Sequence, residues 1–154
     1  MSTHELTERP AVDVDRIRVE LFAGEGGCDL TVLVPAYNEV ESLPTLVEKL
    51  HEAVAPLTER YEIRVIDDGS NDGSDRVLRE IHARAPQLRV KTFLRNYGKS
   101  AALAVGFEQA RGQVVVTIDA DLQDDPEEIP FLIARLAEGW DLVSGWKQDR
   151  KDSW

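Results

Sequence analysis

The chain has 154 residues, of which 42% are hydrophobic and 31% are charged, a composition typical of one globular domain rather than of a collagen-like or disordered protein. Its 18 Lys and Arg against 29 Asp and Glu give a net charge of −11, which argues against a general nucleic-acid binder that neutralises phosphates. The single cysteine, Cys28, excludes an internal disulfide and a cysteine-based zinc site.

The first 29 residues differ in character from the rest of the chain. They contain seven acidic and three basic residues and a glycine-rich stretch at 24–27, with little hydrophobic periodicity. This composition predicts a flexible acidic arm over residues 1–29, with one short strand or helix near residues 14–21. The folded domain is expected over residues 30–154.

From Leu30 onward, short apolar runs alternate with segments of helical spacing. The runs predict five buried strands, at residues 30–35, 61–66, 88–94, 113–118 and 141–144. The intervening segments predict helices near residues 42–55, 74–85, 100–111 and 126–138. This order predicts an α/β sandwich with a mostly parallel central sheet and right-handed crossovers.

Polar clusters follow three of the predicted strands. They are PAYNE at 35–39, DDGS at 67–70 and DADLQD at 119–124. Because ligands of open α/β sheets bind beyond the carboxyl ends of the strands, we expect these clusters to face one crevice.

Asp119 and Asp121 are the candidate metal ligands. Their spacing at the end of a buried strand lets both carboxylates approach one hard cation, and Gln123 could add a neutral oxygen. Helix capping does not explain acids placed this early in the loop. It does explain Asp124 and Asp125, because Asp125 precedes proline at a predicted first helical position.

Two other clusters leave alternatives open. The pair Asp67-Asp68 could accept hydrogen bonds from a nucleotide base, with Tyr37 packed on that base, or could serve as ordinary turn chemistry. The segment RNYGK at 95–99 precedes a predicted helix, where phosphate binding is favoured, but it could also be a solvated basic turn. The basic residues near Lys147 carry the same two interpretations.

Four segments in this order resemble inverting glycosyltransferase family 2: TVLVPAYNE, VIDDGSNDGS, RNYGKSAAL and TIDADLQDDPEEIP. Within that family, DADLQDDPEEIP followed by VSGWKQDRKDSW is most similar to polyprenyl-phosphate glycosyltransferases, including dolichyl-phosphate mannosyltransferases and bacterial undecaprenyl-phosphate sugar transferases. The resemblance runs from about Leu30 to the last residue. Family members continue further, so the chain is expected to be the donor-binding part of a longer domain.

The resemblance implies a Rossmann-like GT-A fold, a nucleotide-diphosphate sugar donor and a Mg²⁺ or Mn²⁺ cofactor. Its implied nucleoside contacts are Pro35, Tyr37, Glu39, Ile66 and Asp68, and its implied donor and metal contacts are Asp119, Ala120 and Asp121, with Gln123 as a further metal ligand. Lys147 falls where relatives commonly have an arginine beside the phosphates, and the two cations are not equivalent at bidentate sites.

The implied reaction is transfer of the sugar, with inversion, to a polyprenyl phosphate. No general base can be assigned from the sequence, and Asp124 is a candidate by position alone. Two other functions stay open: a non-catalytic nucleotide-sugar-binding module, and a receiver-type signalling domain, in which Asp119 and Asp121 would have no assigned role.

The expected location is the cytoplasm, because no secretory signal or run of about 20 apolar residues is visible in the sequence. For the full-length family the resemblance implies the cytoplasmic face of a membrane. Membrane contact is expected through segments outside this chain.

Overall fold

Four parallel strands form the centre of the computed structural model, which describes residues 9–145. In chain order they are β1 (Cys28–Ala36), β2 (Tyr61–Asp67), β3 (Leu88–Thr92) and β4 (Gly112–Thr117). Their order across the sheet is β3-β2-β1-β4, so β1 lies between two neighbours and the chain crosses over the sheet between strands. All four carboxyl ends therefore lie at one edge of the sheet.

Five helices surround these strands within the described residues. They are α1 (Val14–Leu21), α2 (Leu43–Val54), α3 (Ser74–Arg84), α4 (Lys99–Gln109) and α5 (Ile129–Ala137), with a 3₁₀ turn over Pro126–Glu128 before α5. The longest, α2, has 12 residues. Among residues 9–145 we find no helix with the length and apolar character needed to span a bilayer.

The strand β1 divides the core into two layers, because successive side chains point to opposite faces. Leu30, Val32 and Val34 are fully buried in the larger layer, which is completed by α1, α2, α3 and α5. Leu33 points the other way, into a smaller layer with Ile66 and the helix α4. Helices thus cover both faces of the sheet, which explains why the central strand β1 is a nearly continuous buried run.

The helix α4 lies unusually close to the sheet at Gly106. A Cβ atom built on this glycine would be 2.2 Å from Leu33 Cδ1. No other residue would fit without movement of the leucine, so the glycine sets the distance between α4 and β1.

The predicted fold class and the first four strands are confirmed, each within two residues of its expected bounds. The four expected helices are also present. The fifth strand, expected at 141–144, is wrong, because the described residues after α5 form no strand and Leu142 is 85% exposed. A strand needs a neighbour to pair its backbone groups, and this segment has none within residues 9–145.

The flexible arm expected over residues 1–29 differs from the structure within its described part. The short helix expected near residues 14–21 is α1, and it packs against α5 with Ile17 1% exposed and Phe22 5% exposed. These two buried side chains anchor the segment. Two apolar residues are too few to form a clear hydrophobic pattern, so the acidic composition alone predicts a flexible arm. Residues 1–8 lie outside the described part of the chain.

Candidate donor and metal site

The loops that follow the four strands meet at the carboxyl edge of the sheet. They comprise residues 37–42 after β1, 68–73 after β2, 93–98 after β3 and 118–125 after β4. Side chains link each loop to its neighbours, and the four links together form a closed ring around the crevice. We refer to these four segments as the crevice loops.

Asn38 provides the link between the first two crevice loops. Its backbone N–H donates to Ser70 Oγ at 2.9 Å, and its side-chain oxygen accepts from the Asn71 N–H at 2.9 Å. Asn38 has a φ of 53°, a left-handed conformation that asparagine tolerates better than most residues. The exchange of bonds fixes the loop that carries Tyr37 against the loop that carries Asp67 and Asp68.

Asp72 strengthens the same link. Its carboxylate accepts from the Val40 N–H at 3.1 Å and from the N–H and hydroxyl of Ser74 at 3.0 and 2.6 Å. Slight desolvation would raise the pKa of Asp72, but these hydrogen bonds, the Ser74 hydroxyl first, outweigh it and lower the pKa below its ordinary value. Asp72 is therefore a carboxylate that joins two loops.

Asp68 joins the second and third crevice loops. Its oxygens accept from the backbone N–H groups of Tyr97 at 2.8 Å and Gly98 at 2.9 Å, and from Asn96 Nδ2 at 3.2 Å. The residue is 3% exposed. The carboxylate expected to contact a nucleotide base is thus already engaged by the loop that leads into α4.

Gly69 allows this contact to form. It has a φ of +73°, and a Cβ atom there would be 2.2 Å from the backbone carbon of Arg95 and 2.6 Å from the nitrogen of Asn96. The second and third loops therefore touch through backbone atoms, with no room for a side chain between them.

Lys99, the first residue of α4, links the end of the third crevice loop to the fourth. Its Nζ lies 2.5 Å from Asp119 Oδ1, and the two side chains are 60% and 37% exposed. The other cation of the basic turn, Arg95, lies over the ring of Tyr97 at 4.7 Å. Both cations of the predicted phosphate-binding segment are therefore held within the crevice region.

Ser42 closes the ring between the fourth loop and the first. Its hydroxyl donates to the carbonyl of Ala120 at 2.7 Å and lies 3.0 Å from Glu39 Oε2. The backbone of the acidic loop is thereby held against the start of α2. Sequence reasoning missed the linking roles of Ser42, Asn38 and Ser70, because short polar residues after strands are typical of any turn.

The expected nucleoside contacts occupy different depths. Pro35 and Ile66 are paired across β1 and β2 and are buried, so they form the floor at the strand ends. Glu39 is half-buried, and Tyr37 is 45% exposed at the mouth. All four lie in or next to the carboxyl ends of β1 and β2, where Asp68 also lies.

Asp67 differs from its neighbour Asp68. One of its oxygens accepts from the N–H and the hydroxyl of Ser70, at 3.1 and 2.5 Å. Its Oδ2 is buried without a hydrogen-bond partner in the described chain. Of the two acids considered for base recognition, Asp67 keeps the unpaired oxygen.

The expected metal ligands lie together in the fourth loop. Asp121 and Gln123 are exposed, and Asp121 Oδ1 accepts from the Gln123 N–H at 3.1 Å. Leu122 between them has a φ of 61°, a strained conformation for a bulky residue and one that often accompanies functional loops.

No group of three or more acidic, histidine or cysteine side chains in residues 9–145 could hold a cation by itself. A pair of carboxylates nevertheless fits Mg²⁺ or Mn²⁺, which keep several sites for water and substrate phosphates. The ammonium of Lys99 on Asp119 shows that this carboxylate already attracts a cation. The residues therefore fit a divalent metal shared with a phosphate ligand.

The remaining candidates have separate positions. Asp125 caps the turn before α5, because its carboxylate accepts from the Glu127 N–H at 2.9 Å, as the capping interpretation predicted. Asp124, the candidate base, is half-buried. Lys147 lies outside the described residues.

A cleft of about 300 Å³ lies at the opposite edge of the sheet, near the amino ends of the strands. It is lined by three arginines, Arg60, Arg89 and Arg111, and by Glu62. Glu62 is already paired with Arg64 at 3.0 Å, so the cleft offers no free carboxylate to a cation.

Solved structures resemble this fold. Glucosyl-3-phosphoglycerate synthase from Mycobacterium tuberculosis, in complex with Mn²⁺, UDP and phosphoglyceric acid, is 27% identical with a TM-score of 0.64, over 86% of this chain and 46% of that chain. A mannosyltransferase from Pyrobaculum calidifontis, in complex with GDP-Man and Mn²⁺, is 25% identical with a TM-score of 0.63, over 80% of this chain and 39% of that chain. The fold is therefore that of the GT-A glycosyltransferases.

Curated relatives agree with the sequence resemblance. Undecaprenyl-phosphate 4-deoxy-4-formamido-L-arabinose transferases from Aeromonas hydrophila and Proteus mirabilis are each 44% identical over 126 residues, or 81% of this chain. The chain covers 39% of the length of each of these relatives. The sequence profile of Glycosyl transferase family 2 matches residues 31–154. With most of its length matched and its crevice loops in the expected places, this chain belongs to glycosyltransferase family 2.

Proposed function

We propose that the chain binds the donor of an inverting glycosyltransferase that moves a sugar from a nucleotide-diphosphate sugar to a polyprenyl phosphate, undecaprenyl or dolichyl. One observation carries the proposal: Asp119 and Asp121 lie at the carboxyl edge of a parallel sheet, in a loop held by its neighbours on both sides. The names of the 44% identical relatives support the polyprenyl-phosphate acceptor.

The nucleoside would lie across the first two crevice loops. Pro35 and Ile66 would support it from below, Tyr37 would pack on the base, and Glu39 would border the ribose. Asp68 would act indirectly, because its oxygens hold the loop of residues 96–98 that would border the same pocket.

The diphosphate would lie over the fourth crevice loop. Mg²⁺ or Mn²⁺ would be held by Asp119 and Asp121, with Gln123 as a further ligand, and would neutralise charge that develops on the departing nucleotide diphosphate. The backbone of Ala120 would contact the donor, positioned by the Ser42 hydroxyl. Lys147 would add a basic group on the phosphate side.

A phosphate acceptor has little need of a general base. A phosphate monoester has a second pKa near about 6, so a polyprenyl phosphate is largely ionised at neutral pH and can attack the anomeric carbon directly. A single displacement then inverts the configuration at that carbon. Asp124 is the candidate base should a proton need to be removed.

We place the reaction at the cytoplasmic face of a membrane. The net charge of −11 is repelled by anionic lipid surfaces, so membrane contact would come from segments outside this chain. A nucleic-acid partner is not part of the proposal for the same electrostatic reason.

A thermal-shift titration with UDP, GDP, CDP and dTDP, each with and without Mn²⁺, tests donor binding. A ligand that binds only the folded state stabilises it, by about 2.7 kcal/mol at a concentration of 100 times Kd. We expect one nucleotide to stabilise the chain in a metal-dependent way, and Asp121→Asn to remove the effect. Asp125→Asn is the matched control, because asparagine caps a helix as well as aspartate does.

The transfer step is tested by incubating the chain with nucleotide sugars and undecaprenyl phosphate and measuring sugar extracted with the lipid. Lipid-linked sugar of inverted configuration would support the transferase. Nucleotide binding without transfer would favour the nucleotide-sugar-binding module instead. A folded chain that no nucleotide stabilises would rule out both.

A further inference from the structure

Lys99 forms an ion pair with Asp119, the carboxylate that a metal ion would need. Its Nζ is 2.5 Å from Asp119 Oδ1, and Asp119 is a proposed metal ligand. Both side chains are partly exposed, so the pair can open without disturbing the core. A divalent cation on the same oxygen would repel the ammonium, because two positive charges a few ångströms apart raise the electrostatic energy.

The position of Lys99 is set by the fold rather than by the reach of a flexible side chain. Lys99 is the first residue of α4, and the two residues before it, Tyr97 and Gly98, donate their N–H groups to the buried carboxylate of Asp68. The start of α4 is thereby fixed against the second crevice loop. The backbone of Lys99 therefore stays beside the fourth loop, and the ammonium stays within side-chain reach of it when it leaves Asp119.

Phosphate is the group near which a displaced ammonium would be stable. The amino end of α4 carries the positive end of the helix dipole, and no acidic residue occupies its first turn. A diphosphate that shares a metal with Asp119 would lie within the region that Lys99 can reach.

We propose that Lys99 is an exchangeable counter-ion: it neutralises Asp119 when no metal is bound, and moves to the diphosphate when metal and nucleotide bind. This inference rests on the proposed function. It makes Lys99 a competitor of the metal and a partner of the nucleotide. Loss of its charge therefore has opposite effects on the two ligands, whereas loss of a lysine remote from both ligands changes neither affinity.

The test measures Mn²⁺ binding without nucleotide, by the loss of the free Mn²⁺ electron paramagnetic resonance signal. In Lys99→Met we expect Mn²⁺ to bind about two- to five-fold more tightly than in the wild type, the factor that corresponds to a partly exposed ion pair. We expect UDP, GDP, CDP and dTDP, titrated by calorimetry at saturating Mn²⁺, to bind several-fold more weakly to the same variant. Lys99→Arg should restore both affinities towards the wild-type values relative to Lys99→Met, because it preserves the charge.

Lys49→Met, on the exposed side of α2, is the matched control for loss of a lysine and should leave both affinities unchanged. Unchanged or weaker Mn²⁺ binding in Lys99→Met, or wild-type chain that binds no Mn²⁺, would overturn the inference. If the wild-type chain binds a nucleotide but Lys99→Met leaves the Mn²⁺ affinity unchanged, the inference fails and the proposed function stands. Wild-type chain that binds no nucleotide would remove the proposed function itself.

Discussion

Acidic side chains at the amino edge of the sheet are in a different situation from those of the fourth crevice loop at the carboxyl edge. At the amino edge, Asp29 and Glu62 have side chains 2% and 5% exposed, and each is paired with an arginine. At the carboxyl edge, Asp119 is 37% exposed beside a mostly solvated lysine, and Asp121 is exposed. Acidic residues therefore serve as internal braces at the amino edge and remain available to ligands in the fourth crevice loop.

Asp29 illustrates the brace. Its oxygens accept from the Thr58 hydroxyl at 2.6 Å and from Arg60 Nη2 and Nε at 2.9 and 3.1 Å. Arg60 Nη2 also donates to the carbonyls of Phe22 and Gly24. One buried acid thus ties the segment after α1 to the start of β1 and β2.

Glu62 is satisfied as completely. It accepts from the Thr31 hydroxyl at 2.9 Å, from Arg64 Nη2 at 3.0 Å and from the Arg111 N–H at 3.1 Å. Burial alone would raise the pKa of Glu62, but these hydrogen bonds, Arg64 first, outweigh it and lower the pKa. An acid with every oxygen occupied contributes to stability and has little capacity left for a ligand.

The largest expected effect comes from removing a brace. Asp29→Asn keeps the shape of the side chain but leaves Arg60 without its counter-charge. Breaking a buried ion pair costs about 3–5 kcal/mol, and we expect about 3 kcal/mol here because Arg60 is one-third exposed. Urea unfolding of the variant measures the loss.

Asp15→Asn is the control, because Asp15 is a 95% exposed aspartate on α1 and should change stability by less than about 0.5 kcal/mol. Nucleotide binding to folded Asp29→Asn should match that of the wild type. A stability loss below about 1 kcal/mol would mean that the amino edge is not braced as described.

Gly69→Ala tests the carboxyl edge, where backbone contact rather than an ion pair joins the loops. The new Cβ would clash with the backbone of Arg95, and the alanine would have to adopt a positive φ. We expect a loss of about 2 kcal/mol of stability and weaker nucleotide binding, because the second and third crevice loops must separate.

Gly73→Ala separates the effect of the positive φ from the effect of the steric clash with Arg95. Gly73 also has a positive φ, of +92°, but a Cβ there meets no atom within 4 Å. It should cost about 1 kcal/mol and leave nucleotide binding intact. Equal effects of the two substitutions would show that strain alone, and not the contact with Arg95, matters at Gly69.

The contrast between the edges was partly predictable from the sequence. The order of strands and helices, and the clusters that follow three of the strands, place Asp119 and Asp121 at the carboxyl edge by topology alone. The braces could not be found in this way. Asp29 was counted with a flexible arm, although its partners Thr58 and Arg60 are about thirty residues away and become neighbours through strand pairing.

Asp68 shows a second limit of the sequence. Its position in the DDGS motif predicts a location at the crevice, and that location is observed. Whether its oxygens face a ligand or the N–H groups of Tyr97 and Gly98 depends on the course of the third loop. Local motifs predict where a side chain lies better than which atoms it contacts.

A smaller effect is expected from pH at the amino edge. His51 Nδ1 lies 2.7 Å from the Tyr61 hydroxyl, its Nε2 is buried without a hydrogen-bond partner in the described chain, and burial lowers the pKa of His51 below its ordinary value of 6.5. The unfolded chain therefore takes up a proton at higher pH than the folded chain. Stability from this group is complete above about pH 6.5 and decreases as the pH falls.

Urea unfolding at pH 7.5, 6.5 and 5.5 measures this slope, which cannot exceed about 1.4 kcal/mol per pH unit for one group. In His51→Gln the slope over this interval should be smaller than in the wild type. An equal slope in the two proteins would assign the pH dependence to other groups.

The smallest change in stability, and the largest in binding, is expected for Asp119→Asn. This substitution makes the same chemical change as Asp29→Asn, but its partner Lys99 is solvated, so the free energy of unfolding should change by less than about 1 kcal/mol. Stabilisation by nucleotide and Mn²⁺ should disappear, whereas Asp29→Asn retains it. If Asp119→Asn instead destabilises the chain as much as Asp29→Asn, then the fourth crevice loop also uses its acids as braces. Asp119 would in that case contribute to the fold, and the metal would need other ligands.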